Sequence, residues 1–191
     1  FCPRADGLLR PSRKLRLDDR PERRPSLVAA MEFVRNGIGK DVVTVTHRDV
    51  CGEGFPRELD KKADAVFLDV PNPWLAIPHA KNALKAGGRV CTYSPCVEQV
   101  QRNCESMEKN GFHLDNTVFS GDSGNDLPVL ISPIPSTLVC NASVDVKQEA
   151  QHRARNLGTE QSLYLARGGF EGMNGNYAAG IVEGVCHYHP E

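Results

Sequence analysis

From Ser26 onward the hydrophobic positions switch repeatedly between helical and strand spacing. Leu27, Met31 and Val34 fall on one helical face, with Ser26 placed to cap the helix and Gly37 to stop it. The β-branched run DVVTVTHRDV predicts a strand, and ADAVFLDV a second, buried one. Asn72-Pro73 then opens a helix through Trp74, Ile77 and Leu84 that Gly87-Gly88 closes, with Pro78 inside as a kink. RVCTYSP reads as a third strand, and Val97, Val100, Cys104 and Met107 form the apolar stripe of the helix after it. Beyond Gly111 come the strand NTVFS, a short helix or turn at DLPVL and the strand STLVCNA. A polar helix over 144–156, the strand SLYLAR and a closing helix near 176–186 complete the pattern. Strands alternating with helices predict an α/β fold with a parallel, doubly wound sheet.

Residues 1–25 break this pattern. They hold four prolines and eight Arg or Lys against four Asp or Glu, which predicts a disordered basic, proline-rich arm able to touch RNA phosphate. The whole chain carries a formal net charge of −1, so no global field favours nucleic acid. No apolar run approaches the roughly 18 residues that cross a bilayer, and no segment resembles a secretion signal. The expectation is an intracellular protein, nuclear or cytoplasmic, with neither membrane nor DNA as partner. Seven cysteines without CxxC spacing argue against a disulfide framework or structural zinc. The ending Cys186-His187-Tyr188-His189 reads as a solvated terminus, and Asn141-Ala142-Ser143 as a chance match to a glycosylation acceptor.

In doubly wound sheets ligands sit at the carboxyl ends of strands. Asp49 and Asp69 lie there, and two prolines hold Asp69 against its strand. The words VTVTHRDVCGEGF, ADAVFLDVPNPW and GGRVCTYSPCVEQVQR, over about 28–113, closely resemble the catalytic subunit family of tRNA (adenine-58-N1) methyltransferases. That resemblance implies a Rossmann-like fold, S-adenosylmethionine (SAM) as methyl donor, tRNA as substrate and a non-catalytic, RNA-binding subunit as partner. It places Asp49 at the SAM adenine, Asp69 as the catalytic residue beside the methyl donor and target base, and Pro71 and Trp74 against a flipped adenine. The family's glycine-rich strand-to-helix turn has no counterpart before Ser26, and GIGK at 37–40 ends a helix where that turn would open one. The cofactor site therefore reads as half present, and the chain as incomplete or inactive in methyl transfer.

A strand running into GDSGND offers Asp122, Asn125 and Asp126 to a hard cation. Together with STLVCNAS and GGFEGMNGNYAAGIVEGVCHY, this turn resembles the C-terminal part of haloacid-dehalogenase-type sugar phosphatases, sucrose-phosphate phosphatase in particular, over about 114–190. The resemblance implies Mg²⁺ held by Asp122 with Asn125 and Asp126, and sugar-phosphate hydrolysis as an alternative activity. Such enzymes attack with an Asp in a DxDx[TV] turn. Phe67-Leu68-Asp69-Val70-Pro71 supplies one Asp and puts Pro71 where the second should stand. The expected organisation is an arm at 1–25, a partial methyltransferase domain at 26–113 and a partial phosphatase domain at 114–191. An inactive subunit-pairing module or a mis-joined fusion remains a third reading.

Overall fold

The computed structural model describes residues 14–18, 24–39 and 41–190. They fall into two units, meeting in sequence between Ser94 and Pro95, whereas the sequence words change at His113. Strands β1 (Lys14–Asp18), β2 (Val43–His47), β3 (Ala63–Leu68) and β4 (Leu84–Thr92) and helices α1 (Arg24–Arg35) and α2 (Pro73–Ala83) build the first unit. β1 pairs with β2 and β3 with β4, both in parallel, so the expected parallel sheet is present as two-stranded pieces.

Several expectations shift in this unit. Lys14–Asp18, inside the expected arm, forms a strand; residues 1–13 and 19–23 lie outside the described residues. α1 begins at Arg24, so Ser26 lies within the helix and does not cap it. Pro25 permits this early start, because a first-turn residue needs no N–H partner. Of the expected stripe, Met31 and Val34 are 55% and 61% exposed, and the Leu27 side chain lies outside the described ones; among the described side chains of α1, Val28 is also exposed and Ala29 is buried. β3 is buried on one face only, through Val66 and Leu68, with Phe67 exposed. α2 buries Pro73, Ala76, Ile77, Ala80 and Ala83 and continues past Pro78. It ends at Ala83, not at Gly87-Gly88. Those glycines lie within β4, whose register against β3 shifts between Ala63 and Ala65, and Gly87 (φ +74°) supplies the left-handed conformation there.

The second unit holds α3 (Val97–Lys109), β5 (Phe119–Gly121), α4 (Leu127–Leu130), β6 (Ser136–Leu138), α5 (Val144–Leu157), β7 (Leu163–Leu165) and α6 (Tyr177–Tyr188). Its sheet runs β5-β6-β7, all parallel, with the central strand fully buried. Leu127, Leu130, Leu138, Ala142 and Ala150 form its core. The expected strand NTVFS shortens to 119–121, because 114–116 coil into a 3₁₀ turn. Ser143 caps α5 by accepting the Val146 N–H, and left-handed Gly158 ends it. The CHYH ending is helical through Tyr188, and the His187 ring stacks on Tyr164 at 4.0 Å.

α6 reaches the sheet through two glycines one turn apart. A Cβ on Gly180 would fall 2.9 Å from Val139 Cβ, and one on Gly184 would fall 2.6 Å from Thr137 Cβ. Between them Glu183 is buried, its carboxylate accepting the Tyr164 hydroxyl (2.8 Å) and the N–H groups of Arg167 (2.8 Å) and Gly168 (3.0 Å). Burial pushes this carboxyl up. The three donors and the Arg167 charge outweigh it and hold the group below its ordinary value of 4.5.

Two outcomes follow from this packing. Gly184→Ala should destabilise the fold by about 1–3 kcal/mol through overpacking against Thr137, despite alanine's helix propensity, as measured by urea denaturation. A depressed folded-state pKa contributes stability that is complete above the unfolded value and lost as pH falls through the folded one. The gap in urea midpoint between the native chain and Glu183→Gln should therefore be full above pH 4.5 and narrow below it. A gap that does not vary with pH would remove that role.

Candidate functional site

In the first unit, the loop after β2 folds on itself. Asp49 Oδ1 accepts the N–H groups of Cys51 (2.9 Å) and Gly52 (3.1 Å), closing an Asx turn. Gly52 gives the Asp49 carboxylate room, since a Cβ there would lie 2.6 Å from Asp49 Oδ2 and push that side chain aside. Arg48 straps the far side by donating to the carbonyls of Gly54 (2.7 Å) and Glu53 (3.0 Å). The loop then leans on α2: at its start Cys51 Sγ lies 3.6 Å from the Asn72 carbonyl, and at its middle left-handed Gly54 packs on the His79 ring. The turn carrying Asp49 is thereby docked on the segment Asp69–Trp74. Asp49, Asp69 and Pro71 are exposed, and Trp74 is half-buried at the first turn of α2. An apolar groove of about 600 Å³ between α1 and β2, lined by Met31, Phe33, Val34, Ile38 and Val43, contains none of these residues. It opens on the amino-terminal half of β2, away from Asp49.

In the second unit the three residues of the acidic turn part company. Asp126 Oδ2 accepts the N–H groups of Asp122 (3.0 Å) and Ser123 (3.0 Å) and the Ser123 hydroxyl (2.9 Å), so it builds the turn from inside. Gly121 leaves room for it, because a Cβ there would sit 2.7 Å from that carboxylate. Asp122 and Asn125 are exposed. Among the described residues, no three His, Cys, Asp or Glu side chains converge in a metal-binding arrangement. Asp122 and Asn125 still offer hard oxygens at a strand end, which suits Mg²⁺ that keeps most of its water shell.

Two residues here, Asn141 and Tyr177, were given no part in a site by the sequence. Asn141, past the end of β6, donates from Nδ2 to Asp122 Oδ2 (3.2 Å) and accepts the Tyr177 N–H at Oδ1 (2.7 Å). Tyr177 opens α6 with a left-handed φ of +45°. The signal for Asn141 was its place: β5 and β6 pair with Gly121 opposite Leu138, so residues just past each strand share one edge.

Comparison with known proteins also divides the chain into two parts, with the change at 106–119 and not at Ser94–Pro95. Residues 18–119 match the family model described as tRNA methyltransferase complex GCD14 subunit, and residues 106–189 match that of sucrose-6F-phosphate phosphohydrolase. The tRNA (adenine(58)-N(1))-methyltransferase catalytic subunit trmt61a of Dictyostelium discoideum is 44% identical over 92 residues, 47% of this chain and 29% of that protein. The corresponding subunit TRM61 of Eremothecium gossypii is 34% identical over 156 residues, 72% of this chain and 37% of its own length. A putative HAD-like hydrolase of Nitrosococcus oceani is 53% identical over 85 residues, 44% of this chain and 23% of that protein. The chain thus spans well under half the length of each of these relatives. With just over half of its residues inside the first match, the chain belongs to the GCD14 family of tRNA methyltransferase complex subunits, and its C-terminal part is similar to sucrose-6F-phosphate phosphohydrolase.

Proposed function

We propose that the chain is a tRNA (adenine-N1) methyltransferase-like protein, incomplete or inactive as this chain. The docking of the Asp49 turn on Asp69–Trp74, through Cys51 and Asn72, carries this reading. One carboxylate oxygen of Asp49 closes the turn, and the other suits the amino group of the SAM adenine. SAM, when bound, supplies an electrophilic methyl group. Asp69, exposed just past β3, accepts a hydrogen bond from the amino group of the target adenine and offsets charge as N1 is alkylated. Pro71 and Trp74 form the apolar wall for the extruded base. These residues fit the adenine and target side of the cofactor. The family's glycine-rich turn for its other end has no counterpart in 26–113. Under this reading tRNA and a non-catalytic RNA-binding subunit are the partners, the working compartment is nuclear or cytoplasmic, and 26–113 is the partial methyltransferase domain. The exposed Val28, Met31 and Val34 on α1 favour pairing with another subunit even without catalysis.

The exposed Asp122 and Asn125, on a turn built by Asp126, support Mg²⁺-dependent sugar-phosphate hydrolysis as a second reading, with 114–191 as the partial phosphatase domain. Asp122 and Asn125 would hold the ion, whose chemistry would be to neutralise a bound phosphate.

Calorimetry with SAM should show weak binding that Asp49→Ala reduces about tenfold, the loss of one hydrogen bond to a charged group. Unchanged binding in the variant removes the role of Asp49, and methyl transfer to tRNA by the chain alone refutes incompleteness. For the second reading, sucrose phosphate and Mg²⁺ should release phosphate at a rate that Asp122→Ala abolishes; no release from the native chain rejects it.

A further inference from the structure

We infer that Arg48 is a positioning residue for Asp49, fixing the loop that aims Asp49 Oδ2 at the adenine of SAM. This rests on the methyltransferase reading and adds to it a residue that acts only through another. Asp49 draws the loop together from its N–H side: Oδ1 accepts Cys51 and Gly52, and the Asp49 carbonyl accepts the Glu53 N–H (2.8 Å). Arg48 takes the carbonyls at the loop's far end, Nε donating to Gly54 (2.7 Å) and Nη2 to Glu53 (3.0 Å). A guanidinium presents these N–H groups side by side in one plane, which matches two successive carbonyls, whereas the ammonium of lysine is a single point on a flexible stem. The Glu53 carboxylate lies 3.7 Å from the same Nε but is 63% exposed, so this ion pair contributes little beside the two bonds.

The loop has two fixed points, and Arg48 reaches from one to the other. Val50, directly after Asp49, is buried in the core at 1% exposed. Gly54 is buried against α2, where a Cβ would fall 2.7 Å from His79 Nδ1. Gly52 and Glu53 between these points are exposed, so the span that shapes the Asx turn depends on the Asp49 bonds on one side and the Arg48 bonds on the other. Without the guanidinium, water takes its place at the Glu53 and Gly54 carbonyls and the span loosens. Asp49 Oδ2 then loses a fixed direction, and the loop has to be ordered at the moment of binding, which subtracts from the affinity gained.

Calorimetry with SAM on the full chain tests this without reference to turnover. Arg48→Met should weaken binding about tenfold, the same loss as Asp49→Ala, because both remove one contact. Arg48→Lys keeps the charge without the planar fork and should lose as much. In the double variant Arg48→Met with Asp49→Ala, binding should be no weaker than in Asp49→Ala alone, since residues acting through one contact do not add. Native affinity in Arg48→Met, recovery in Arg48→Lys, or losses that add in the double variant overturn the inference and leave the methyltransferase reading standing. An Asp49→Ala chain that binds like the native one removes the inference together with the role of Asp49. No binding of SAM by the native chain defeats that reading and the inference with it. Should the Arg48 variants fail to fold, NMR of the native ¹⁵N-labelled chain decides. Its Arg48 Nε–H should shift along with the Cys51 and Gly52 amides as SAM is added, and a silent Nε–H while those amides respond overturns the inference.

Discussion

Parallel pairing is the constraint on which the rest of this structure depends. Parallel neighbours cannot be joined by a tight hairpin, so each pair needs a crossover, and α1, α2, α4 and α5 each lie between two paired strands. Within each sheet the crossovers return every strand in the same direction, so the loops after paired strands share one end. This brings Asp122 and Asn141 together in the second unit, whereas Asp49 and Asp69 follow strands of two separate sheets and their loops meet through Cys51 and Asn72. The chemistry is scattered along the chain and collected by topology.

How each edge is held differs between the units. In the first, the contacts are light: a thiol against a carbonyl and a glycine against an imidazole ring, with both carboxylates left in solvent. In the second, buried polar groups bind the sheet to its last helix. Glu183 gathers three donors, and the Tyr188 hydroxyl lies 3.1 and 2.8 Å from the carbonyls of Ser136 and Ser162. Removing a partner from such a group leaves a desolvated charge or carbonyl behind, which costs more than the bond itself contributed.

Much of this was legible in the sequence where one local pattern dominated. The spacing of Val97, Val100, Cys104 and Met107 located α3, β-branched runs located β2 and β3, and a carboxylate after each apolar run marked Asp49, Asp69 and Asp122 as edge residues. What was hidden depended on space or on distant pairing. Asp126 turns inward because Gly121 has no Cβ to exclude it, which spacing cannot reveal. KLRLD alternates with strand period, but the surrounding prolines and arginines masked it until β2 supplied a partner. Asn141 matters through Tyr177, 36 positions away.

The two family matches overlap over residues 106–119, the end of α3 and the approach to β5, and α3 lies in the same unit as the phosphatase-like strands although the methyltransferase match includes it. An α/β protein asks little of such a segment beyond one apolar stripe and a strand of the right direction to follow. Helices meeting that demand fit either pattern, so a segment that both family matches claim falls where the rhythm of the two is the same.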